Sequence, residues 1–461
     1  MSAALDLNSY LDREIHCSCG HTHFSGVKKV DIDQGATERL PGIIQEMGYK
    51  KVFIVADKNT WSAAGERVAS ELRKSGISYG QVVLQDDEVV PDEKAIGEIM
   101  VAYTPGTDLV LGVGAGVLND LCKFISFRMG VDYIIFATAP SMDGFVSIGS
   151  ALMLHHVKTT IDCHGPVAVI GDTDVLANAP MELIAAGLGD TLGKYTCLMD
   201  WKLAHMINGE YYCDKVVGMV EKALETVMAQ KDKVEERDPQ AIKAVTEALV
   251  LTGIAMSFVG NSRPASGCEH HFSHYWEMKA LMAGETPAHH GTQVGLGMIV
   301  ALKCYHWLAH EDIDFDAAKE RSFDKEAWTA LVKEKYEIAA DGIIQLEEET
   351  KKNDIPSRNK RIDFMKAHWE EICAVIEEGL PKTEDMEELL LSLHAPVNPE
   401  QMNLDLEFVE DGIVLAKEVR ERFTMLQILW DLGLSEKYAK KIGQYFGEGQ
   451  TSYWGWKKNI A

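Results

Sequence analysis

The stretch DLVLGVGAGVLNDLCKFISFRMG, residues 108–130, passes from a strand pattern to a helix pattern and decides the fold. Its beginning, DLVLGVG, is a nearly continuous apolar run that is typical of a strand buried on both faces, and the remainder has helical periodicity. Similar extended segments precede and follow it, with helical patterns between them: KKVFIVAD (50–57), QVVL (81–84), YIIFATA (133–139) and a longer stretch at 151–173. Strands that alternate with helices predict a parallel sheet with helical crossovers.

The pattern changes near residue 180, where helical periodicity takes over and continues along the rest of the chain. We therefore predict an α/β domain with a Rossmann-like parallel sheet at residues 1–179, followed by an all-helical domain at residues 180–461. Two charge-rich stretches of the helical part, residues 310–326 and 346–361, are expected to be solvated helix faces and loops.

The composition argues against several classes of partner. The 461-residue chain has a formal net charge of −26, which opposes binding to nucleic acids and to anionic membranes. The first residues, MSAALDLNSYLDREIH, lack the basic and apolar regions of a secretory signal, and no apolar run is long enough to span a bilayer. The nine cysteines, an odd number, suit a reducing compartment. These features predict a cytoplasmic protein without membrane insertion.

Gly112, Gly114 and Gly116 lie between the strand and the helix of the opening stretch. Such a turn lets a pyrophosphate approach the backbone and the positive end of the helix, although a tight turn without a ligand has the same sequence signature. The usual dinucleotide fold has, after its glycines, an acidic residue that binds the ribose of the cofactor. The best candidate for such a residue in this chain, Asp57, precedes the glycines. This order points away from the common dehydrogenases.

A second polar cluster follows the strand predicted at 133–139. It consists of Thr138, Ser141, Asp143 and Ser147. Ligands of open α/β sheets bind at the carboxyl ends of the strands, but serine and aspartate are also ordinary turn residues. The cluster is therefore a candidate ligand site that has an equally good structural explanation.

The helical part contains the residue types of a catalytic metal site. Asp190 is expected at the start of a helix, where an aspartate is also a common N-cap. His270 and His274 are four residues apart and would share one helix face, and HHGTQVGLG (289–297) adds two more histidines. One carboxylate and two imidazoles would leave open positions on a metal for a substrate. Spacing alone does not choose among the three histidines at 270–274 or between the pair at 289–290.

The segment CSCGHTH, residues 17–23, has the composition of a zinc site. Cys17, Cys19, His21 and His23 alternate and would share one face of a strand, with successive members about 6.6 Å apart. Zinc ligands lie about 2.0–2.3 Å from the ion, so a straight strand would supply two of the four at most. A structural zinc site is therefore not expected in this segment.

The motifs occur in an order that resembles the sn-glycerol-1-phosphate dehydrogenases. These belong to the superfamily of dehydroquinate synthases, glycerol dehydrogenases and iron-containing alcohol dehydrogenases. The resemblance is carried by five segments: GVGAGVLND (112–120), TAPSMDGFVS (138–147), AAGLGDTLGKYTCLMDWKLAH (185–205), SRPASGCEHHFSH (262–274) and HHGTQVGLG (289–297). It implies a dehydroquinate synthase-like fold, with an N-terminal dinucleotide domain and a helical metal-binding domain.

The resemblance also implies roles for individual residues. It assigns the metal to Asp190, His270 and His290, and it makes Asp143 and His274 the catalytic candidates near the substrate and the nicotinamide. The positions that match cofactor-binding ones are Asp57, Gly114, Ala115, Gly116, Asp120, Thr138, Ser141 and Ser147. Ala115 departs from the glycine or serine that is more frequent there, but alanine is small enough that we expect no loss.

The implied reaction is the reversible reduction of dihydroxyacetone phosphate to sn-glycerol 1-phosphate. NAD(P)H would supply the hydride, and one zinc or nickel ion per subunit would polarise the ketone. Lys158 and Arg263, which also face the substrate in this reading, are candidate phosphate contacts, with Lys194 behind them. Asp57 favours NADH whereas the adjacent Lys58 could pair with a 2′-phosphate, so the use of both cofactors is expected.

Three alternatives stay open from the sequence. One is a glycerol or polyol dehydrogenase that acts on unphosphorylated substrates. Another is an enzyme similar to dehydroquinate synthase, which would recycle NAD within each turnover. The third is a non-catalytic module that senses a metal or a nucleotide. A homodimer and a product used for lipid synthesis are expectations at the level of the family.

Overall fold

The computed structural model describes residues 5–154 and 157–448, which fold into two compact units. Of the described residues, the first unit contains those from 5 to 191 together with 213–265 and 392–394, and the second contains 192–212, 266–391 and 395–448. Residues 213–265 therefore belong to the same unit as the N-terminal segments. The domain boundary predicted after residue 179 stays a prediction.

The described residues contain ten strands, all in the first unit. They are β1 (Ile15–His16), β2 (Thr22–His23), β3 (Lys29–Ile32), β4 (Lys51–Asp57), β5 (Ser78–Leu84), β6 (Leu109–Gly114), β7 (Asp132–Ala137), β8 (Gly149–Leu154), β9 (Val157–Asp162) and β10 (Ala168–Gly171). Six of them form one parallel sheet in the order β3-β10-β7-β6-β4-β5. The remaining strands form two antiparallel pairs, β1–β2 and β8–β9. The parallel sheet predicted from the apolar runs is confirmed.

Helices connect the strands of the parallel sheet, add α9 and α10 to the first unit and make up the second unit. They are α1 (Ala36–Glu46), α2 (Lys58–Thr60), α3 (Glu66–Lys74), α4 (Glu93–Ala102), α5 (Gly116–Met129), α6 (Thr173–Leu176), α7 (Met181–Leu192), α8 (Lys194–Asn208), α9 (Asp214–Met228), α10 (Pro239–Val259), α11 (Cys268–Met282), α12 (His290–Ala309), α13 (Phe315–Glu320), α14 (Lys325–Tyr336), α15 (Ala340–Thr350), α16 (Ile355–Gly379), α17 (Thr383–Ser392), α18 (Leu406–Leu415), α19 (Met425–Leu432) and α20 (Ser435–Glu448). The predicted all-helical C-terminal part is confirmed by this arrangement.

The order of the sheet creates a place for a ligand. β4 leads to β5 on one side, and the chain then returns to form β6 on the other side of β4. The carboxyl ends of β4 and β6, which are Asp57 and Gly114, therefore flank a point where the strand order reverses. Open parallel sheets bind their ligands at such points.

Asp190 lies near the end of a helix, so the expectation that it begins one is wrong. α7 starts at Met181, directly after Pro180, and continues through the glycine-rich GLGD. A Cβ atom on Gly187 would lie 1.6 Å from the carbonyl oxygen of Pro140. Glycine at this position is therefore a condition for the close approach of α7 to the loop after β7, and it does not break the helix.

The segment 17–23 is not a straight strand, so the limit of two zinc ligands that holds for a straight strand does not apply to it. β1 and β2 pair with each other across a turn at residues 17–20. In this turn Gly20 N–H donates to the Cys17 carbonyl oxygen at 3.1 Å, and Gly20 has a φ of +88°. The chain therefore folds back on itself inside the segment.

The second unit has charged residues in its interior. The expectation that residues 346–361 are solvated is wrong for four of them, because these side chains are buried: Glu347, Asn353, Arg358 and Arg361. Arg361 donates from Nε to one oxygen of Asp431 at 2.6 Å and from Nη2 to the other at 2.7 Å. Paired charges of this kind can lose their water because each one has an opposite charge and a hydrogen-bond partner.

One helix among the described residues, α10, is long and apolar enough to cross a membrane by length and composition. Of its most apolar window, 72% is buried inside the structure. Such burial is typical of a helix in the core of a folded unit, and α10 belongs to the first unit.

Candidate functional site

The glycine turn after β6 is joined to the end of β7. Thr138 N–H donates to the Gly114 carbonyl oxygen at 3.1 Å, so the two predicted strand-end clusters lie side by side. α5 begins at Gly116, directly after Ala115, and has 14 residues. The first amide groups of a helix have no partner within the helix and attract anions, so this turn can hold a phosphate group.

Asp57 lies at the end of β4 and caps the short helix α2. Its carboxylate accepts a hydrogen bond from Thr60 N–H at 2.8 Å. The neighbouring Lys58 forms an ion pair with Asp87, an exposed carboxylate.

Lys123 is a buried residue that sequence analysis missed. Its Nζ donates to the carbonyl oxygens of Gly144 at 3.3 Å and Gly149 at 2.8 Å, and to Ser147 Oγ at 3.0 Å. It also lies 3.3 Å from Asp120 Oδ1. Burial lowers the pKa of Lys123 and raises that of Asp120, and each charge opposes the shift of the other. The signal in the sequence was a lysine three residues after an aspartate on an otherwise apolar helix.

Lys123 thus fixes the loop that carries two of the predicted site residues. The hydroxyl of Ser147 accepts from Lys123 and donates to Gly144 O at 3.0 Å, so it is part of the loop's own hydrogen bonds. Asp143, in the same loop, donates its backbone N–H to Asp190 Oδ2 at 2.9 Å. The structure therefore brings Asp143 and Asp190 together, and both side chains are buried.

The candidate phosphate contacts differ in their surroundings. Lys158 is exposed on β9, opposite Met153 in β8. Burial raises the pKa of Asp120, and the charges of Lys123 and, to a smaller degree, Lys158 oppose this increase. Arg263 and Lys194 are buried, Arg263 in the first unit and Lys194 at the start of α8 in the second. Lys158 is therefore the one of the three that a solvated substrate reaches most easily.

Three histidines of the second unit form a compact cluster. The ring centres of His270 and His290 are 5.1 Å apart, those of His274 and His290 are 5.9 Å apart, and those of His270 and His274 are 6.2 Å apart. His270 and His274 come from successive turns of α11, as the spacing predicts, and His290 is the first residue of α12. His289 is exposed and precedes that helix.

Glu269 orients His270. Glu269 Oε1 lies 2.8 Å from His270 Nδ1 and 2.6 Å from Gly267 N, and Oε2 accepts from the Thr196 hydroxyl at 2.7 Å. Burial raises the pKa of Glu269, although the hydrogen bonds from Gly267 N–H and the Thr196 hydroxyl oppose the shift. Because a carboxylate accepts, Nδ1 of His270 carries the proton, and Nε2 is then the nitrogen that can bind a metal.

The start of α11 is held by a buried aspartate. Asp200 accepts from Cys268 N–H, from the Tyr305 hydroxyl and from Met425 N–H, each at 2.6 Å. Burial, and then the negative charge of Glu269, raises the pKa of Asp200 to about 6.

α12 crosses α11 closely at the same place. A Cβ atom on Gly297 would lie 2.5 Å from the Glu269 carbonyl oxygen, so glycine permits the two helices to approach. The position of the histidines is therefore set by buried polar groups and close helix packing.

Comparisons with known proteins agree with this architecture. A family model described as iron-containing alcohol dehydrogenase matches residues 31–180. A glycerol-1-phosphate dehydrogenase (NAD(P)+) of Halalkalibacterium halodurans is 32% identical over 417 residues, which is 90% of this chain and 95% of the relative. The enzyme with the same name from Geobacillus stearothermophilus is 33% identical over 427 residues, covering 90% of this chain and 96% of the relative.

The fold also matches solved structures. The crystal structure of glycerol dehydrogenase from Schizosaccharomyces pombe superposes with a TM-score of 0.58 at 15% identity, covering 92% of both chains.

Proposed function

The chain belongs to the glycerol-1-phosphate dehydrogenase family, and we infer that it is an NAD(P)-dependent oxidoreductase that reversibly reduces dihydroxyacetone phosphate to sn-glycerol 1-phosphate. The observation that carries this inference is the histidine cluster of α11 and α12 with its buried carboxylate, Glu269. The glycine turn before α5 supports it, because the free amide groups at the start of a helix attract phosphate groups. Polarising a ketone and holding a phosphorylated cofactor are the two tasks of such a reductase.

We assign one divalent metal per subunit to Asp190, His270 and His290. These side chains offer one carboxylate oxygen and two imidazole nitrogens, a donor set that suits zinc and nickel. When bound, the metal would act as a Lewis acid toward the ketone oxygen of the substrate. The chain's own contribution is orientation: Glu269 fixes the tautomer of His270, and Asp143 N–H fixes the carboxylate of Asp190.

The first unit would bind the nicotinamide cofactor, which supplies the hydride. The pyrophosphate is assigned to the turn Gly114, Ala115 and Gly116, in front of the helix α5. Asp57 would face the adenosine ribose. The remaining cofactor contacts that we propose are Asp120, Thr138, Ser141 and Ser147. The carboxylate of Asp57 would repel a 2′-phosphate and favours NADH, whereas the adjacent Lys58 could pair with that phosphate, so the use of both cofactors stays a prediction.

The substrate would be held by charge and oriented by two further residues. Lys158, which is exposed, and Arg263 are assigned to the phosphate group. Asp143 would face the reacting carbon, and His274 would deliver a proton to the alkoxide that hydride transfer leaves, which converts it to the hydroxyl group of the product. His274 Nδ1 lies 3.9 Å from Glu277 Oε2, a carboxylate one helical turn further along α11.

Other parts of the proposal rest on the family. We propose a cytoplasmic homodimer without membrane insertion or nucleic-acid partners, and a product that enters phospholipid synthesis. The net charge of −26 opposes nucleic-acid binding, and the burial of α10 opposes its insertion in a membrane.

Glu269→Gln is expected to weaken metal binding about 10- to 100-fold, because partners that orient a ligating histidine typically contribute this much. Glutamine has the same shape but cannot hold the imidazole proton with a negative charge. The measurement is the metal dissociation constant in competition with a chelator. Glu225→Gln, an exposed glutamate of α9, is the matched control and should bind normally. Equal affinity of the two variants would contradict the role given to Glu269.

The proposed activity is tested by following NADH oxidation with dihydroxyacetone phosphate, on protein stripped by a chelator and then given zinc or nickel. We expect oxidation that requires the metal, and much less with unphosphorylated dihydroxyacetone. No oxidation with any metal would refute the proposed reaction. Equal rates with both substrates would favour a polyol dehydrogenase, and product without net NAD formation would favour a synthase that recycles its cofactor.

Lys158→Ala separates phosphate recognition from general damage. A charge-assisted hydrogen bond contributes about 1.5–3 kcal/mol, so the variant should lose about tenfold or more in kcat/KM for dihydroxyacetone phosphate and little for dihydroxyacetone. Lys222→Ala, which removes a partly exposed lysine of α9, should change neither value.

A further inference from the structure

Four metal-binding side chains of the first unit converge at a place for which the proposed reaction has no use. They are Cys17 and Cys19 in the turn between β1 and β2, His23 in β2, and Cys213 at the start of α9. One ligand-type atom from each lies within 4.8 Å of all the others. Three of them belong to the segment CSCGHTH, and the fourth is about 190 residues away in the chain.

The distances within this group agree with a tetrahedral zinc site. With Zn–S about 2.3 Å and Zn–N about 2.0–2.1 Å, two sulfur ligands are about 3.8 Å apart, and a sulfur and a nitrogen ligand are about 3.6 Å apart. In the structure, Cys17 Sγ and Cys213 Sγ are 3.7 Å apart. His23 Nε2 lies 3.4 Å from Cys19 Sγ and 3.5 Å from Cys213 Sγ.

His23 is held in the orientation that a ligand needs. Its Nδ1 lies 2.8 Å from the Phe258 carbonyl oxygen, and its ring stacks on the Phe258 ring at 5.3 Å. A carbonyl oxygen only accepts, so Nδ1 carries the proton and Nε2 presents its lone pair to the sulfur atoms. Metal-binding histidines usually have this arrangement, with the other ring nitrogen bonded to a carbonyl or a carboxylate.

We propose that Cys17, Cys19, His23 and Cys213 bind a structural zinc ion. Four protein ligands leave no open position, so the ion would not take part in catalysis. Its binding would join the turn between β1 and β2 to the start of α9, closing a long loop of the chain. His23 and Cys213 are buried, whereas the two cysteines of the turn are partly exposed and give the ion a path of entry.

The test uses the full-length protein, purified under reducing conditions and loaded with cobalt in place of zinc. We expect the cobalt-loaded protein to show the intense near-ultraviolet absorption of a cobalt–thiolate site. Protein loaded with zinc should contain, by elemental analysis, one zinc equivalent beyond the metal assigned to Asp190, His270 and His290. Cys213→Ser should lose the absorption and that equivalent. Cys373→Ser, a partly exposed cysteine of α16, is the matched control and should keep both.

Asp190→Ala separates this proposal from the proposed function, because it should lose the other metal and keep the cobalt–thiolate absorption. His23→Cys provides four thiolates and should still bind zinc, which protects the test against a Cys213→Ser variant that does not fold. Absence of the absorption in the unaltered protein would overturn the proposal. So would a disulfide between Cys17 and Cys213 in protein kept under reducing conditions.

Discussion

His290→Ala is expected to lose both the bound metal and about 10³-fold in kcat/KM for dihydroxyacetone phosphate. A Lewis acid contributes several kcal/mol to the stabilisation of charge in the transition state, and about 4 kcal/mol corresponds to about a thousandfold in rate. His290 is the first residue of α12, and its ring lies beside that of His270 at 5.1 Å. Elemental analysis and steady-state kinetics on the same preparation measure the two losses together.

His289→Ala is the matched control, because it removes an imidazole one position earlier in the chain. His289 is exposed and lies outside the helix, so the variant should keep its metal and its activity. The pair of variants resolves the choice that the sequence HHG leaves open. A His290→Ala enzyme with full metal content and normal turnover would contradict the ligand assignment.

Asp190→Asn tests the third ligand without removing the packing around it. Asparagine can still accept the hydrogen bond from Asp143 N–H, but it lacks the negative charge that holds a divalent ion. We therefore expect a folded protein with weakened metal binding. An unchanged dissociation constant would remove Asp190 from the site.

The features that the sequence predicts well are those governed by local pattern. A strand buried on both faces, such as β6, must be apolar throughout, and the run DLVLGVG shows this directly. The spacing of His270 and His274 is likewise sufficient to place both on one face of α11. β3, a short edge strand with the sequence KVDI, has no such signature and was not predicted.

Other features depend on contacts between distant residues, which no local pattern contains. Gly187 resembles a helix break, and only the carbonyl oxygen of Pro140 explains why a glycine stands inside α7. The segment CSCGHTH cannot form a zinc site as a straight strand, and neither its turn nor the approach of Cys213 is visible in the segment itself. The buried Lys123 was missed for the same reason, because its partners lie in the loop at residues 144–149.

Arg361→Met is expected to lower the free energy of unfolding by about 3–5 kcal/mol, because it leaves the buried carboxylate of Asp431 without its counter-charge. Arg361 donates two hydrogen bonds to Asp431 and one, from Nη2, to the Lys352 carbonyl oxygen at 2.8 Å. Urea unfolding followed by circular dichroism measures the loss. Arg39→Met is the control, because Arg39 forms the same two-bond pair with Asp31 at the surface, where the loss should stay below about 1 kcal/mol.

The loss caused by Arg361→Met should depend on pH in a defined direction. Burial already raises the pKa of Asp431, and Arg361 opposes that shift, so removing the arginine raises the pKa further. A carboxyl group with a raised pKa in the folded state destabilises the fold as the pH rises from its unfolded pKa to its folded pKa. The variant should therefore lose less stability at about pH 5 than at about pH 8.

The double variant Arg361→Met/Asp431→Leu should recover a large part of the stability, because it removes the buried charge instead of stranding it. A loss as large in the double variant as in the single one would mean that the arginine acts through its packing and its bond to Lys352. In that case the loss in Arg361→Met should also be independent of pH, because the unpaired charge of Asp431 would not be its cause.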